Sequence, residues 1–393
     1  MTDQTMRDLS GEGSAVFETE AGGSHGISQF LSPPRRHSDE SGVEIVTTIA
    51  RLRELRQDWN LIALRTENPL FQFEWFEACA EAFCPPDALH VVVVRRTGIV
   101  VGIAPLVLAQ PSLLQRRIEI LGASVLCEPA GFLCTDADAM NQLISAIMEM
   151  RRPLFLGRVG CTSLECNTIE RVARRHLFFG LKNRSASPWI SIEGSWESYE
   201  ATLSSSRRSS LRRARRNASK LGTLTTEIFS PSAEHLDRYL DEVFEVESAN
   251  WKGQAGTSIR SISPLKKFFA TYAKAAAQAG ILRLCFLRVN GKPIAVQIAV
   301  EYARRFWVLK IGYDEEYASC SPGNVLMHDV VRYAFERKLI SFEFLGSDEP
   351  WLHIWTDKIH SFSSLRLYPP TIPSLINLGL DSFKYMSRRL QGK

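Results

Sequence analysis

The chain has 393 residues, 45% of them hydrophobic, so it can bury a sizeable core and exceeds the length at which a single core usually divides. Its 47 basic and 43 acidic residues leave a formal net charge of +4, which identifies no partner for the chain as a whole. Eight cysteines without a CxxC pair disfavour a zinc or dithiol site, and no apolar run approaches the roughly 18 residues of a membrane helix.

The N-terminal segment, residues 1–42, is rich in Gly, Ser, Glu and Pro and shows little apolar periodicity. Such a segment buries too little apolar surface to offset the entropy of ordering, so we expect a disordered tail. Its polar, acidic beginning does not fit a signal peptide. We therefore expect a cytoplasmic protein with reduced cysteines.

A weak internal repeat begins after Val43. The stretch NPLFQFEWFEACAEAF predicts a helix, and LHVVVV and IVVGIAPLVL predict a hairpin around RRTG. The stretches SPLKKFFATYAKAAAQAG, ILRLCFLRV and PIAVQIAVEY predict the same order around NGK. Pro69 and Pro264 are 195 positions apart, and Gly98 and Gly291 are 193 apart. Two copies of one module are the simplest interpretation, and chance recurrence is the alternative.

The second copy continues with strand RRFWVLKIGYD, polar loop EEYASC, helix PGNVLMHDVVRYAFERK and strand SFEFLG. This order predicts an antiparallel meander followed by a helix that crosses back to the sheet. The fold class is therefore α/β (α+β), with two tandem domains, each a mixed, mostly antiparallel sheet flanked by helices. The predicted divisions are the tail 1–42, a first domain 43–190, a second domain 191–370 and a C-terminal tail 371–393.

The start of the predicted helix in CSPGNVLMHDVV has two interpretations. Ser321 suits the N-cap position, and Pro322 suits the first helical position, where its missing N–H costs nothing. Gly323 and Asn324 would then present N–H groups at the positive end of the helix dipole, where a phosphate binds readily. The pattern by itself fits a capped helix without a ligand as well as an anion site.

The stretches LRRARRNASKLG, VNGKPIAVQIAVEY, IGYDEEYASCSPGNVL and FEFLGSDEPWLHIWTD together resemble the GCN5-related N-acetyltransferase (GNAT) superfamily. The BioF2-like branch is the most similar; it includes CelD-like proteins of cellulose biosynthesis and is related to the Fem peptidoglycan transferases. The resemblance covers about Trp196 to Pro370. It implies tandem GNAT-like domains, the first one degenerate, and acyl transfer, with acetyl as the expected group, from acyl-CoA to an amine. The usual pyrophosphate signature Q/R-x-x-G-x-G/A is replaced by SPGN.

The resemblance also implies that the opening of this helix and the preceding strand hold acetyl-CoA or another acyl-CoA. Gly312, inside the strand pattern, predicts a bulge or a close ligand approach, and we expect a backbone N–H near Gly312 to meet the thioester oxyanion. Tyr313 and Tyr317 are candidates to protonate the leaving thiolate, and a packing aromatic is the alternative interpretation of each. The predicted carrier-binding residues are Ile311, Gly312, Tyr313, Ser321, Gly323, Asn324 and Val325.

Amine acylation needs a group that removes a proton. Asp348 is the first choice, His353 the second and Glu301 an alternative, although Asp348 and its neighbour Glu349 also fit a simple turn cap. The predicted acceptor side consists of Trp251, Gln297 and Trp351; a core position for the first and a solvated strand face for the second are the alternatives. No metal is expected. Direct transfer without a covalent intermediate is predicted, with Cys320 as the exception to test.

A basic run, RRSSLRRARRNASK, forms a predicted helix. A solvated helix is the ordinary interpretation of such a run, and CoA phosphates, anionic lipid headgroups or RNA are the alternative ligands. We favour a basic wall beside the active site. The seven basic residues are Arg207, Arg208, Arg212, Arg213, Arg215, Arg216 and Lys220.

The expected acceptor is a small-molecule or glycan amine, with peripheral membrane or polysaccharide-synthesis machinery as open partners and no DNA. A link to polysaccharide or cell-envelope biosynthesis follows from the resemblance alone. The two alternatives are a non-catalytic GNAT-fold partner in exopolysaccharide or cellulose synthesis and a Fem-like aminoacyl-tRNA-dependent transferase. The sequence lacks G-x-S-x-G, GxxxxGK[ST] and HExxH, which disfavours a hydrolase, a P-loop ATPase and a zinc peptidase.

Overall fold

The computed structural model describes residues 41–113, 115–160, 164–249, 259 and 262–390, so most of the predicted N-terminal tail lies outside the described residues. The helices in these ranges are α1 (Ile49–Glu54), α2 (Arg56–Ala63), α3 (Phe73–Phe83), α4 (Ala123–Leu126), α5 (Ala137–Glu149), α6 (Leu164–Arg175), α7 (Trp196–Thr202), α8 (Ser205–Ser219), α9 (Leu236–Ser248), α10 (Ser263–Gln278), α11 (Pro322–Glu336) and α12 (Ile372–Leu390). Short 3₁₀ helices occupy Leu64–Thr66, Pro69–Phe71, Glu315–Cys320 and Pro350–Ile354.

The strands form two sheets. They are β1 (Gly42–Val46), β2 (Val91–Arg96), β3 (Ile99–Ala104), β4 (Leu106–Ser112), β5 (Gln115–Ile120), β6 (Leu133–Cys134), β7 (Leu154–Gly160), β8 (Phe179–Ser191), β9 (Leu224–Phe229), β10 (Leu282–Val289), β11 (Lys292–Tyr302), β12 (Arg305–Tyr313), β13 (Ser341–Glu343) and β14 (Ile359–Tyr368). The smaller sheet has the order β1-β2-β3-β6 and the larger β4-β5-β7-β14-β8-β13-β12-β11-β10-β9. The predicted mixed α/β class is confirmed.

Both predicted hairpins are present, and their turns have the same geometry. β2 pairs with β3 and β10 pairs with β11, each antiparallel. Thr97 and Gly98 in one turn, and Asn290 and Gly291 in the other, all have positive φ between 49° and 80°. This is the backbone of a two-residue type I′ turn, whose twist matches that of the paired strands.

The internal repeat extends through the larger sheet, where each copy contains a parallel pair. β5 runs parallel to β7, and β12 runs parallel to β13, with α5 and α11 in the respective connections. The last strand of each copy pairs with the other copy: β8 lies antiparallel to β13, and β14 antiparallel to β7. Because β8 and β14 also pair with each other, the two halves share one continuous sheet.

The equivalent helices of the two copies, α3 and α10, pack against each other. The ring of Trp75 stands edge-on to Phe268 and Tyr272, with 5.0 Å between ring centroids in both pairs. Phe83 stacks on Phe268 at 5.3 Å. These aromatic contacts join the two halves in one core.

Four local predictions differ from the structure. The run IVVGIAPLVL is two strands, because Pro105 separates β3 from β4, and the two strands belong to different sheets. EEYASC is a 3₁₀ helix, not a loop, and SFEFLG pairs only over Ser341–Glu343. The predicted C-terminal tail contains α12. Among the described helices, none is long and apolar enough to cross a membrane.

The aromatic contact between the copies generates a stability prediction. Phe268 is fully buried, so Phe268→Ala should lower the free energy of unfolding by about 3 to 5 kcal/mol. Phe383, which is 67% exposed on α12, is the matched control, and its replacement by Ala should change stability by less than about 0.5 kcal/mol. Urea unfolding followed by circular dichroism measures both. Equal effects of the two substitutions would contradict the assigned packing.

Candidate active site

A cleft opens where two parallel strands separate. β12 and β13 pair only from Arg305 to Trp307 along β12, and beyond this point the chains diverge. A cavity of about 170 Å³ occupies the gap, lined on one side by Lys310 and Ile311 and on the other by residues of the loop after β13, including Trp351. Met327 of α11 also lines this cavity, which places the crossover helix beside it.

The edge of β12 that faces the cleft carries backbone N–H groups that take no part in the β11–β12 ladder. The Asp314 N–H donates to the Ile294 C=O at 2.9 Å, which identifies these two residues as a hydrogen-bonded pair of the antiparallel β11–β12 ladder. Since such pairs alternate, Gly312 also directs its N–H towards β11. Ile311 and Tyr313 direct theirs to the open edge. An extended ligand can therefore pair with Ile311 and Tyr313, and these N–H groups, not that of Gly312 itself, are the ones near Gly312 that face the cleft.

Gly312 has a packing role instead. A Cβ atom at this position would lie 2.7 Å from the Cα of Glu247, so glycine is required for α9 to approach β12. The predicted bulge lies three residues earlier, at Leu309, where the register shifts between the Ile298–Lys310 and Ala299–Val308 pairs. The bulge turns the strand at the point where it leaves β13.

A second cavity, of about 430 Å³, lies between α8 and the start of α11. Ser321 and Asn324 line it, one helical turn before Met327 in the first cavity. Ser321 is the N-cap residue of α11 and Pro322 begins the helix, as predicted, but Ser321 has φ 48° and its side chain makes no capping hydrogen bond. Its C=O accepts from the N–H groups of Asn324 at 3.0 Å and Val325 at 3.2 Å. The Gly323 N–H has no acceptor among the described residues.

The basic helix α8 forms the opposite wall of this second cavity. Arg215 pairs with Asp329 of α11, and Arg208 donates to the C=O groups of Ala201 and Leu203, both at 2.8 Å. The other five basic residues of the run have no carboxylate within ion-pair distance in the described part of the chain. Two of them line the cavity, so uncompensated positive charge faces the N-terminus of α11. The five are Arg207, Arg212, Arg213, Arg216 and Lys220.

The predicted bases are not among the residues that line this cavity, although Asp348 stands between two that are, Ser347 and Glu349. The Oδ1 atom of Asp348 is 3.2 Å from Nε2 of His353, so the structure brings these two together as a partly exposed pair, but neither lines the cavity. Glu301 belongs to a cluster with Arg283 and Arg337, each at 3.2 Å, and accepts from the Tyr333 hydroxyl at 3.0 Å.

Of the three residues predicted to bind the acceptor, one lines the cavity, one faces α11 and one lies outside the described residues. Trp351 lines the cavity and is 38% exposed. Gln297 is 2% exposed and its Nε2 lies 3.7 Å from Sδ of Met327, so it faces α11 and the solvated-face alternative is wrong. Trp251 lies outside the described residues.

Glu128 is a cleft residue that the sequence did not indicate. It follows α4 in the first copy, lines the smaller cavity, and accepts from the Gly346 N–H at 2.9 Å. Burial raises the pKa of its carboxyl from 4.5 to about 7, although the Gly346 N–H and the nearby Arg158 and Lys310 charges oppose this shift. In the stretch CEPAGF no periodicity or motif marks this glutamate, and only tertiary structure brings it to the cleft.

Residues of the first copy also bind the backbone C=O of Gly346, whose N–H donates to Glu128. Arg158 is 6% exposed, and its Nη2 donates to the Gly346 C=O and to the Ser187 hydroxyl. The Ser187 hydroxyl donates to the same C=O at 2.9 Å. Gly346 has φ 54°, a conformation that favours glycine. Side chains of the first copy therefore position the loop that forms one wall of the cleft.

Cys320 has no activating surroundings. It is 1% exposed, its Sγ donates to the Tyr317 C=O at 3.1 Å, and burial raises the pKa of its thiol. Since the thiolate is the nucleophile, this geometry favours direct transfer over a covalent intermediate. The pKa of Tyr313 is also raised, first by burial and then by the Glu315 charge, which keeps its hydroxyl protonated.

Residues 205–352 match a family model described as an acetyltransferase (GNAT) domain. Among solved structures, FemX is 12% identical with a TM-score of 0.52, covering 79% of this chain and 94% of that one. The C-terminal domain of a putative lysylphosphatidylglycerol synthetase from Agrobacterium fabrum is 11% identical with a TM-score of 0.52, covering 86% and 96%. At these identities the likeness establishes the fold only. No curated protein matched the sequence.

The raised pKa of Glu128 predicts how stability changes with pH. Between pH 4.5 and about 7 the folded state holds the proton more tightly than the unfolded state. The contribution of Glu128 to stability is therefore fully present at low pH and is lost as pH rises through about 7. Glu128→Gln removes this titration. The free energy of unfolding of wild type minus that of the variant should therefore fall as pH rises from 4.5 to about 7. Urea unfolding at several pH values measures it; a constant difference would contradict the assignment.

Proposed function

We propose, from the match of residues 205–352 to an acetyltransferase (GNAT) domain model, that the protein transfers an acyl group, acetyl by preference, from acyl-CoA to an amine. One observation carries the proposal. The cavity in the gap between β12 and β13 and a second, positively charged cavity at the N-terminus of α11 are lined by Met327 and Asn324, which lie about one turn apart on that helix. A thioester carrier consists, in order, of an acyl group, an extended arm with amides, and phosphates. These parts would match the first cavity, the open edge of β12 and the positively charged cavity, respectively.

The residues of both cavities fit such a carrier. The open-edge N–H groups of Ile311 and Tyr313 can pair with the amides of the arm. The Gly323 N–H, together with Arg207 and Arg213, supplies donors and charge for the phosphates. The small volume of the first cavity, about 170 Å³, favours a short acyl chain.

Glu128 is the proposed proton acceptor. The thioester supplies an activated acyl group, and the attacking amine must lose a proton before or during attack. A carboxyl with a pKa of about 7 is ionised in part near neutral pH and still holds a proton well, which suits a general base. Lys310, in the same cleft, is 3.1 Å from Glu247 and adds positive charge near the reacting groups. Trp351 and Glu349 at the cleft wall are the proposed contacts for the acceptor.

A second candidate is transfer from an aminoacyl-tRNA, and the unpaired cations of α8 favour it. Five basic side chains without carboxylate partners exceed what one CoA molecule requires. By its name, the similar lysylphosphatidylglycerol synthetase forms an aminoacylated lipid, which also supports an acceptor in the cell envelope. Binding of tRNA that weakens steeply with salt, together with no binding of acyl-CoA, would favour this candidate. A non-catalytic partner in polysaccharide synthesis would bind neither donor.

Calorimetry with acetyl-CoA tests the carrier site. Arg213→Ala should weaken binding by about tenfold or more, because a charge-assisted contact to phosphate is lost. Arg212→Ala is the matched control: this arginine is also unpaired and lies one residue away on α8, but it does not line the cavity. It should bind acetyl-CoA within about twofold of wild type. Equal losses in both variants would indicate only a general effect of charge, and wild type that binds no acyl-CoA would refute the proposal.

Steady-state kinetics with an amine acceptor tests the base. Glu128→Gln should lower kcat by about 10²- to 10⁴-fold and abolish the rise of the rate with pH near 7. Acetyl-CoA affinity should change little, since Glu128 is placed away from the phosphates. Asp348→Asn makes the same carboxyl-to-amide change at the base that the sequence predicted, so comparing the two variants shows whether Glu128 or Asp348 removes the proton. If Asp348→Asn removed the pH dependence and Glu128→Gln kept it, the base would be the sequence-predicted residue.

A further inference from the structure

The first cavity, in the gap between β12 and β13, carries more negative than positive charge. Three charged residues line it: Glu128 of the first copy, Lys310 of β12 and Glu349 of the loop after β13. Neither glutamate has a cation within ion-pair distance in the described ranges of the chain. The balance of charge in the cavity therefore depends on whether the ammonium group of Lys310 is free to compensate them.

The ammonium group of Lys310 is already balanced by Glu247, a residue of α9. Oε1 of Glu247 lies 3.1 Å from Nζ of Lys310, and Oε2 accepts from the Ile259 N–H at 2.8 Å. Glu247 is 1% exposed, and Gly312, two positions after Lys310, leaves room for it against β12. This pair stays together because an unpaired charge in a buried position is strongly destabilising. The two glutamates that line the cavity thus remain without a compensating cation in the described part of the chain.

Glu349 belongs to a loop that is fixed at both ends. At one end, Glu128 and Arg158 bind the N–H and the C=O of Gly346. At the other end, Leu352 is 3% exposed and donates its N–H to the Glu349 C=O at 2.9 Å. The backbone that carries Glu349 is therefore held in place before a ligand arrives, which lowers the entropic cost of binding.

The rest of the cavity wall suits an alkyl chain that ends in a cation. Trp351 follows Glu349 by two residues, lines the same cavity and is 38% exposed. The face of an indole ring attracts cations, so this ring and the carboxylate favour the same kind of ligand group. Most of the remaining lining residues are apolar and suit methylene groups. They include Val308, Leu309, Ile311, Phe344 and Leu345.

We propose that the acceptor is a diamine, of which one amine reacts and the other stays protonated. The reacting amine would meet Glu128, the methylene chain would lie along the apolar wall, and the protonated amine would bind Glu349 and the ring of Trp351. An anionic donor and a cationic acceptor would then be attracted to different cavities. This inference names the acceptor class of the site and rests on the proposed acyl transfer.

The transfer step is balanced with this acceptor. The nitrogen of the neutral amine bonds to the acyl carbon and gives one proton to Glu128. The C–S bond of the thioester breaks, and its electron pair remains on the sulfur of CoA, which leaves as a thiolate. The product is an N-acylated diamine that keeps one cationic end.

Steady-state kinetics with acetyl-CoA and three amines tests the acceptor class. The amines 1,4-diaminobutane, n-butylamine and 4-aminobutyrate have similar lengths and present an ammonium group, a methyl group and a carboxylate at the other end. Wild type should use the diamine with a kcat/KM roughly tenfold or more above that for butylamine, and 4-aminobutyrate should be the poorest. Both ends of the diamine can react, so a preference no larger than this statistical advantage would count against the proposal.

Glu349→Gln removes the charge and keeps the shape of the side chain. Because Glu349 is exposed, the variant should fold as wild type does by circular dichroism. Its ratio of kcat/KM for the diamine to that for butylamine should fall to the statistical advantage. Glu193→Gln is the matched control and should keep the wild-type ratio. The Glu193 side chain is 78% exposed and lies next to Ile192, which bonds to Ile340 before the start of β13, at the end of that strand away from the cavity.

Calorimetry with the same amines gives a measurement that needs no turnover. Wild type should bind 1,4-diaminobutane roughly tenfold or more tightly than butylamine, and Glu349→Gln should bind the two alike. Acetyl transfer without a preference for the diamine would overturn this inference and leave the proposed acyl transfer standing. Preferential binding of the diamine without transfer to any amine would support the diamine site and contradict acyl transfer. Equal effects of Glu349→Gln and Glu193→Gln on the ratio would overturn the assignment of Glu349.

Discussion

The short pairing of β12 with β13 is the constraint on which the proposed site depends. Parallel strands normally bond along their length, but here only Arg305–Trp307 and Ser341–Glu343 are in register. The bulge at Leu309 and the close packing of α9 on Gly312 carry β12 away from its neighbour. Backbone N–H groups that a neighbouring strand would otherwise occupy remain available at Ile311 and Tyr313. A strand-shaped ligand can complete the sheet at this position, in the way that extended peptides add to open sheet edges.

The last strand of each copy pairs with a strand of the other copy, and this pairing brings residues of the first copy to the cleft in the second. β8 of the first copy pairs with β13, and β14 of the second copy pairs with β7, so the loop after β13 lies against the first copy. Glu128 and Arg158 hold the N–H and C=O of Gly346 from that side. A copy that lacks a carrier site of its own would thus contribute a wall, a positioning cation and the proposed base. The two halves are joined elsewhere by the aromatic contacts of α3 and α10.

Charge is arranged differently at the two ends of the proposed carrier site. At the phosphate end, Arg207 and Arg213 are unpaired and open to solvent, which suits rapid capture of an anion and makes binding sensitive to salt. At the acyl end, Glu128 is half-buried in the wall of the cleft, and desolvation raises the pKa of its carboxyl to about 7. At Asp381, two hydrogen-bond donors, Tyr368 and Gln115, and two cations, Arg366 and Arg117, surround one carboxylate of α12.

The sequence by itself determined the local elements: both type I′ hairpins, the crossover helix α11 and the basic helix α8 follow from turn chemistry and from periodicities of two and 3.6 residues. It also identified the start of α11 and the strand before it, since a Gly-containing helix start after a strand is a local pattern. It misplaced the bulge, and it selected Asp348 and Glu301, which the structure engages in partly exposed or clustered ion pairs. Only the tertiary structure decided that Glu128 enters the cleft, that Gly312 serves packing, and that Asp381 of α12 meets Gln115. These depend on contacts between residues far apart in the chain, such as Glu128 with Gly346 and Gln115 with Asp381, and local patterns contain no information about which distant partners will meet.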